Sequence, residues 1–231
     1  MKITRNQDID RMRGLTVFLM LVVNSPVDLR ITNSALIHSE WAGLSLADTV
    51  FPTFLFIVGI SLTLSNRLKK ITLRGLFIRS TVLVLTGIFL KAIVFVLYDQ
   101  EHFKIMGVLQ RIYFSIPIVK KLWTPSFLLI CVGIAIWLYL LVKRMAVIDL
   151  TWLEYPGKHS LAIYVISVIA FDVLLYCHVW HSLFVAVYTW LIPRSIPLQG
   201  ATLFFSVLFS SVICFTPYLI QKTMFFVKRA I

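Results

Sequence analysis

The sequence predicts an all-α fold: a polytopic transmembrane helix bundle of about six spans, with short re-entrant or interfacial helices added. Three observations carry this expectation. Hydrophobic residues make up 59% of the 231 residues and charged residues only 14%, where soluble domains average roughly 45–50% and 25%. The mean hydropathy is +0.91. Apolar runs approaching the ~20 residues that cross a bilayer recur along the whole length, and most of the charge lies between them. The formal net charge of +12 therefore reads as topology and lipid-headgroup contact. Nucleic-acid binding is excluded, because no soluble module is present to carry it.

The first span is expected from about Ile9 to Val27, its opening turns polar and its end set by Pro26. Basic residues lead into this run, but Asn24-Ser25-Pro26 follows it in place of a small-residue cleavage site, so it reads as a retained anchor. The second opens at Ala47-Asp48 and runs to Leu64. Pro52 falls one turn inside, where the first helical N–H groups have no intrahelical partner anyway. The third covers Leu76 to Tyr98, with Lys91 near its end able to snorkel. Later spans are Phe127–Val142, Ser160–Tyr176 and Ala201–Ile220.

Two shorter runs read differently. Ile105 to Val119 is short for a span and carries Gln110-Arg111 in its middle, where an arginine costs several kcal/mol at a bilayer centre. Lys2, Arg5, Arg11 and Arg13 precede the first span, and Arg67, Lys69, Lys70 and Arg74 follow the second; both groups belong on the cytoplasmic side. Treating 105–119 as re-entrant or interfacial also puts Lys143-Arg144 and Lys222, Lys228 and Arg229 inside, with both termini cytoplasmic, although Lys120 and Lys121 then face outward. The run His181 to Arg194 is expected along the outer interface, Trp180 and Trp190 at headgroup level. Residues 1–231 form one domain, without internal repeats. Cys131, Cys177 and Cys214 lie in or beside apolar runs without metal-ligand spacing and read as buried packing residues.

Polar residues at the ends of spans are the places for chemistry. Asn24 ends the first apolar run, His38 and Trp41 lie in the following outer loop, and Asp48 opens the second span. Taken alone, Asp48 is a helix-start carboxylate stabilised by free N–H groups and the helix dipole. His38 taken alone is a solvated loop histidine, although its side chain suits acid–base work near neutral pH. Arg67, Lys69 and Lys70 can hold phosphates, or simply set topology. Arg111 can pair with Asp172, contact a substrate, or lie at the interface. His178 and His181 are three apart but have no evident third ligand, so no metal is expected.

The run Ile9-Asp10-Arg11-Met12-Arg13-Gly14-Leu15-Thr16, followed by Val22-Val23-Asn24, resembles the start of the heparan-alpha-glucosaminide N-acetyltransferase family. The resemblance continues through His38-Ser39-Glu40-Trp41-Ala42-Gly43-Leu44-Ser45-Leu46-Ala47-Asp48, Val50-Phe51-Pro52 and Phe54-Leu55-Phe56-Ile57-Val58-Gly59. It extends to Gly107-Val108-Leu109-Gln110-Arg111-Ile112, Lys121-Leu122-Trp123-Thr124 with Ser126-Phe127, and Tyr155-Pro156-Gly157-Lys158 through Tyr164. The resemblance implies a membrane enzyme moving an acetyl group from acetyl-CoA to the amino group of a terminal glucosamine. His38 matches the family's active histidine and Asn24 the asparagine ending the preceding span. On that reading His38 is the general base or transient acetyl carrier, Asn24 an oxyanion donor or imidazole orienter, and Asp48 the carboxylate fixing the histidine tautomer. Trp41, Gln110 and Arg111 are the acceptor-binding candidates, and Arg67, Lys69 and Lys70 the candidates for the CoA phosphates.

The chain departs from the family pattern in its middle. Arg111 and Lys121 are only ten positions apart, where family members carry further spans, so it reads as a shortened member. Lys104-Ile105-Met106 stands where the family has Arg-Ile-Pro, and His159 where it has an asparagine. Two function classes stay open: a transmembrane acyltransferase acting on an amino sugar or glycan, and a transporter-like or structural membrane protein that has lost catalysis. The expected setting is a bacterial inner membrane. Self-association is a further expectation, since Gly87 and Gly133 permit close helix contact.

Overall fold

The computed structural model describes residues 6–28, 30–38, 44–64, 73–98, 125–145 and 151–230. The expected 105–119 segment lies outside these residues. Among them the chain is all helical: α1 (Gln7–Asn24), a 3-10 turn (Ser34–Leu36), α2 (Leu46–Leu64), α3 (Leu73–Tyr98), α4 (Pro125–Arg144), α5 (Thr151–Lys158), α6 (Ser160–Tyr176), α7 (Val179–Leu191), a 3-10 turn (Ile192–Arg194) and α8 (Leu198–Ala230). The helix of 198–218 is long and apolar enough to cross a membrane, with mean hydropathy 1.8. Taken together, α5 and α6 also pass that test, although they are bent by 83°. Leu46–Ser61 and Thr81–Val96 are shorter apolar helices.

The helix ends follow from local chemistry. Asn6 caps α1, its side chain accepting the Asp8 N–H at 3.0 Å, and Asp8 and Asp10 complement the positive end of the helix dipole. At the other end Ser25 turns its hydroxyl back to the Leu21 carbonyl at 2.8 Å, ahead of Pro26. His178 (φ 58°) makes the left-handed turn between α6 and α7, and Ser195 (φ 55°) the one before α8.

The core is stacked in three layers along α1, which packs against α2, α4, α5, α6 and α8. Ile9 and Met12 meet Ile57 and Val142 at one end. Val17 and Leu21 meet Phe54, Ile163 and Cys214 in the middle. Val27 joins Trp180, Phe184, Leu191, Ala201 and Phe205 at the far end. This order runs α2 antiparallel to α1 and returns the start of α2 to the end where α1 stops. Ser206 fastens the loop there, donating its hydroxyl to the Ser25 carbonyl at 2.9 Å. Both ends of α7 contribute to the third layer, through Trp180 and Leu191, so this helix lies across that end of the bundle.

At the opposite end α1 and α5 cross backbone to backbone. A methyl placed on Gly14 would fall on the Leu153 carbonyl, 2.8 Å from its carbon and 3.2 Å from Gly157 N. One on Gly157 would fall on the Asp10 carbonyl, 2.7 Å from its carbon and 3.1 Å from Gly14 N. Each missing Cβ direction is a Cα–H direction, so the two glycines point C–H groups reciprocally at carbonyls of the facing helix. Polar side chains frame the crossing. Arg13 donates to Asp10 at 3.0 Å, to the Gly157 carbonyl at 3.1 Å and to the Ser61 hydroxyl. Glu154 receives Arg11 at 3.1 Å and Lys158 at 3.0 Å.

One expectation is corrected here, that all three cysteines are buried. Trp180 faces the protein interior. It is fully buried, with Phe171, Phe205 and Phe209 edge-on to it at 4.8–5.0 Å between centroids, because the turn at His178 aims the first turn of α7 inward. Trp190 is 56% exposed, with the Arg194 guanidinium 3.5 Å from its ring centroid. Cys131 and Cys214 are buried, whereas Cys177 is exposed, since it belongs to that same turn.

Candidate active site

The candidate site lies where α1 ends and α2 begins. The connecting loop is shaped by local hydrogen bonds. Asp28 accepts from the Arg30 backbone at 2.9 Å and pairs with its guanidinium at 3.0 Å, while the Thr32 hydroxyl donates to the Asp28 carbonyl at 2.6 Å. The Arg30 hydrogen bonds hold the Asp28 carboxyl below the usual carboxylate range. Asn33 caps the 3-10 turn by accepting the Ala35 N–H at 3.0 Å, and Leu36 is buried there. This anchored turn delivers His38.

His38 Nδ1 lies 2.8 Å from Asp48 Oδ1. The Asp48 side chain is 1% exposed and that of His38 is 68% exposed. The other oxygen of Asp48 accepts the Ser45 N–H at 3.1 Å and the Ser45 hydroxyl at 2.8 Å, and the Asp48 N–H donates back to Ser45 Oγ at 3.3 Å. Because an ionised carboxylate only accepts, Nδ1 carries the proton toward Asp48, which leaves Nε2 with a free lone pair. The pair thus has one buried, fixed member and one solvent-facing member. Such a dyad can take a proton from a substrate, or attack an acyl carbon through Nε2.

The structure brings His38 and Asp48 into contact. Asn24 is the exposed last residue of α1, and the hydrogen bonds described for the pair do not run through it. Trp41, Gln110, Arg111, Arg67, Lys69 and Lys70 lie outside the described residues. Asp172 is buried on α6; its expected partner Arg111 is among those not described. Among the described residues no group of three or more His, Cys, Asp or Glu side chains could hold a metal ion. Sequence reasoning passed over Ser45, although Ser45-Leu46-Ala47-Asp48 carries the S-x-x-D spacing of a capping box. It also read Arg11 and Arg13 only as topology charges, whereas both are partly buried and paired.

Comparison with known proteins identifies the family. The family described as "Heparan-alpha-glucosaminide N-acetyltransferase, catalytic" matches residues 5–157. The mouse (Mus musculus) protein named heparan-alpha-glucosaminide N-acetyltransferase is 33% identical over 130 residues, 51% of this chain and 19% of the relative. The human (Homo sapiens) protein of that name is 32% identical over 131 residues, 52% of this chain and 19% of the relative. The matched region thus spans about a fifth of the length of these relatives. No solved structure matches the chain. The family match takes in both glycines of the α1–α5 crossing and residues 38–48, and with more than half of its residues so matched the chain belongs to the heparan-alpha-glucosaminide N-acetyltransferase catalytic family.

Proposed function

We propose that this chain is a transmembrane N-acetyltransferase that moves an acetyl group from acetyl-CoA to the amino group of an amino sugar or glycan. The observation that carries the reading is the 2.8 Å contact between the buried Asp48 carboxylate and the exposed His38 ring. A glucosamine-type amine is protonated at neutral pH and must lose a proton before it can attack a thioester. His38 Nε2 takes that proton and becomes an imidazolium stabilised by Asp48. The amine nitrogen then bonds to the acetyl carbon, the C–S bond breaks, and the imidazolium gives its proton to the departing CoA thiolate. The regenerated Nε2 takes the second proton from the acylated nitrogen and passes it to solvent, so the net change is acetyl-CoA plus ammonium giving amide, CoA thiol and one released proton.

The other roles follow the family resemblance. Asn24, at the same end of the bundle, donates to the developing oxyanion. Trp41, Gln110 and Arg111 contact the acceptor, and Arg67, Lys69 and Lys70 contact the CoA phosphates. The bilayer reading rests on composition and on the apolar helices. Taking α1, α2, α3, α4, α6 and α8 as six spans of one domain puts both termini on the cytoplasmic face of a bacterial inner membrane and His38 at the outer face. Helix α2 is then roughly 27 Å long at 1.5 Å per residue, so the pantetheine arm must enter the bundle to bring the thioester to His38.

The test is transfer of labelled acetyl from acetyl-CoA to glucosamine in membranes carrying the protein, compared with His38→Ala. Activity in the wild type that falls by about 10²–10⁴-fold in the variant supports the reading. Undiminished activity in His38→Ala, or none in a folded and inserted wild type, overturns it.

A further inference from the structure

Asp48 uses its two oxygens for different purposes. Oδ1 meets His38, while Oδ2 receives two donors from one residue, the Ser45 N–H at 3.1 Å and the Ser45 hydroxyl at 2.8 Å. The same hydroxyl accepts the Asp48 N–H at 3.3 Å. Ser45 and Asp48 therefore form a reciprocal capping box at the start of α2. In an ordinary capping box the second carboxylate oxygen is left to solvent. Here the carboxylate is buried, and that oxygen goes to the histidine.

We infer that Ser45 is a positioning residue of the site, fixing through Asp48 the plane in which the His38 ring is held. The inference rests on the acetyltransferase reading for its catalytic consequence, but its geometry stands on the hydrogen bonds alone. An aspartate side chain has two free torsions. Two donors on Oδ2 at different angles fix both, which leaves one position for Oδ1 and one orientation for the ring bonded to it. His38 is largely solvent-exposed and enters from a loop, so among the described residues Asp48 is the group that holds the imidazole. The helix cap thus serves as the support of the dyad, and α2, the helix it begins, runs into the core beside α1 at Phe54 and Ile57.

Three variants separate a positioning role from a cap that only stabilises the helix. Ser45→Thr keeps both donors. Ser45→Ala removes the hydroxyl and weakens the cap. Ser45→Gly removes the hydroxyl but is accepted at helix N-caps nearly as well as serine, so it remains folded if Ser45→Ala does not. The full-length protein in nanodiscs, labelled with ¹⁵N-histidine, supplies a readout independent of activity: the downfield Nδ1–H resonance of His38, assigned by its loss in His38→Ala. We expect this resonance in the wild type and Ser45→Thr, and its broadening or loss in Ser45→Gly. In the acetyl-transfer assay, kcat in Ser45→Gly falls on the order of tenfold with KM unchanged, and Ser45→Thr restores it. A Ser45→Gly protein that keeps both the resonance and kcat overturns the inference and leaves Ser45 a helix cap. A wild type without transfer activity whose resonance still depends on the Ser45 hydroxyl sustains the positioning role and rejects the acetyltransferase reading instead.

Discussion

Gly14→Ala tests the close crossing of α1 and α5. The added methyl would meet the Leu153 carbonyl carbon at 2.8 Å and Gly157 N at 3.2 Å, with the Leu153 oxygen nearer still. All three are backbone atoms, so no side chain can swing aside, and α1 and α5 must separate. Overpacking of this kind costs ~1–3 kcal/mol. Separation also stretches the Arg13 hydrogen bond to the Gly157 carbonyl, a bond to a charged group worth ~1.5–3 kcal/mol. Against this stands a gain of about 1 kcal/mol in helix propensity. The net loss is ~1.5–5 kcal/mol, which at ~2–4 °C per kcal/mol lowers Tm by at least about 3 °C and on the order of 10 °C at mid-range. Gly133→Ala on α4 is the control, since nothing among the described residues lies within 4 Å of its added methyl. It should leave Tm unchanged or slightly raised. Thermal unfolding of the purified protein in one detergent reads both variants. A Gly14→Ala protein as stable as the Gly133→Ala protein would refute the close crossing and the reasoning built on it.

Two further predictions concern the other end of the bundle. Trp180→Ala should destabilise by ~3–5 kcal/mol, whereas Trp190→Ala should cost no more than ~1 kcal/mol, the value of an exposed cation–π contact; equal losses in thermal unfolding would contradict the buried and exposed placements. The hydrogen bonds from Arg30 lower the Asp28 carboxyl, so their contribution is complete above the usual carboxylate range and is lost as pH falls through the lowered folded value. The Tm difference between wild type and Asp28→Asn, small because the pair is solvent-exposed, should accordingly be present at neutral pH and vanish in acid. A difference that grows with acidification would reverse the sign of this linkage.

Helix positions were legible in the sequence because apolar runs and their polar ends are local signals. Ser160–Tyr176 has the predicted limits, and α2 begins one residue before the expected Ala47. The meeting of His38 with Asp48 was also within reach, since the two are only ten positions apart. Inward and outward faces were not legible. In a chain this apolar, the face that packs and the face that does not carry the same residue types, so Trp180 looked like Trp190 and Cys177 like Cys131. Pairings across the chain were invisible for a different reason. Arg11 and Glu154 are separated by 143 positions, and a basic residue before a span reads as topology until its partner is seen. Ser45 was hidden by its plainness, as a serine at a helix start predicts a cap whether or not a carboxylate uses it.

The crossing of α1 with α5 also bears on how the chain is made. Helix α1 lies at the centre of the bundle, yet the residues it grips most closely are synthesised about 140 positions later. At roughly 5–20 residues per second, α1 waits some 7–30 s for Leu153 and Gly157 to emerge. During that interval its glycine face and the Asp10–Arg13 turn have no α5 to meet. The order of synthesis therefore makes α5 a late clasp, and a ribosome halted before residue 151 would hold α1 and α2 already paired but the first helix still open along one side.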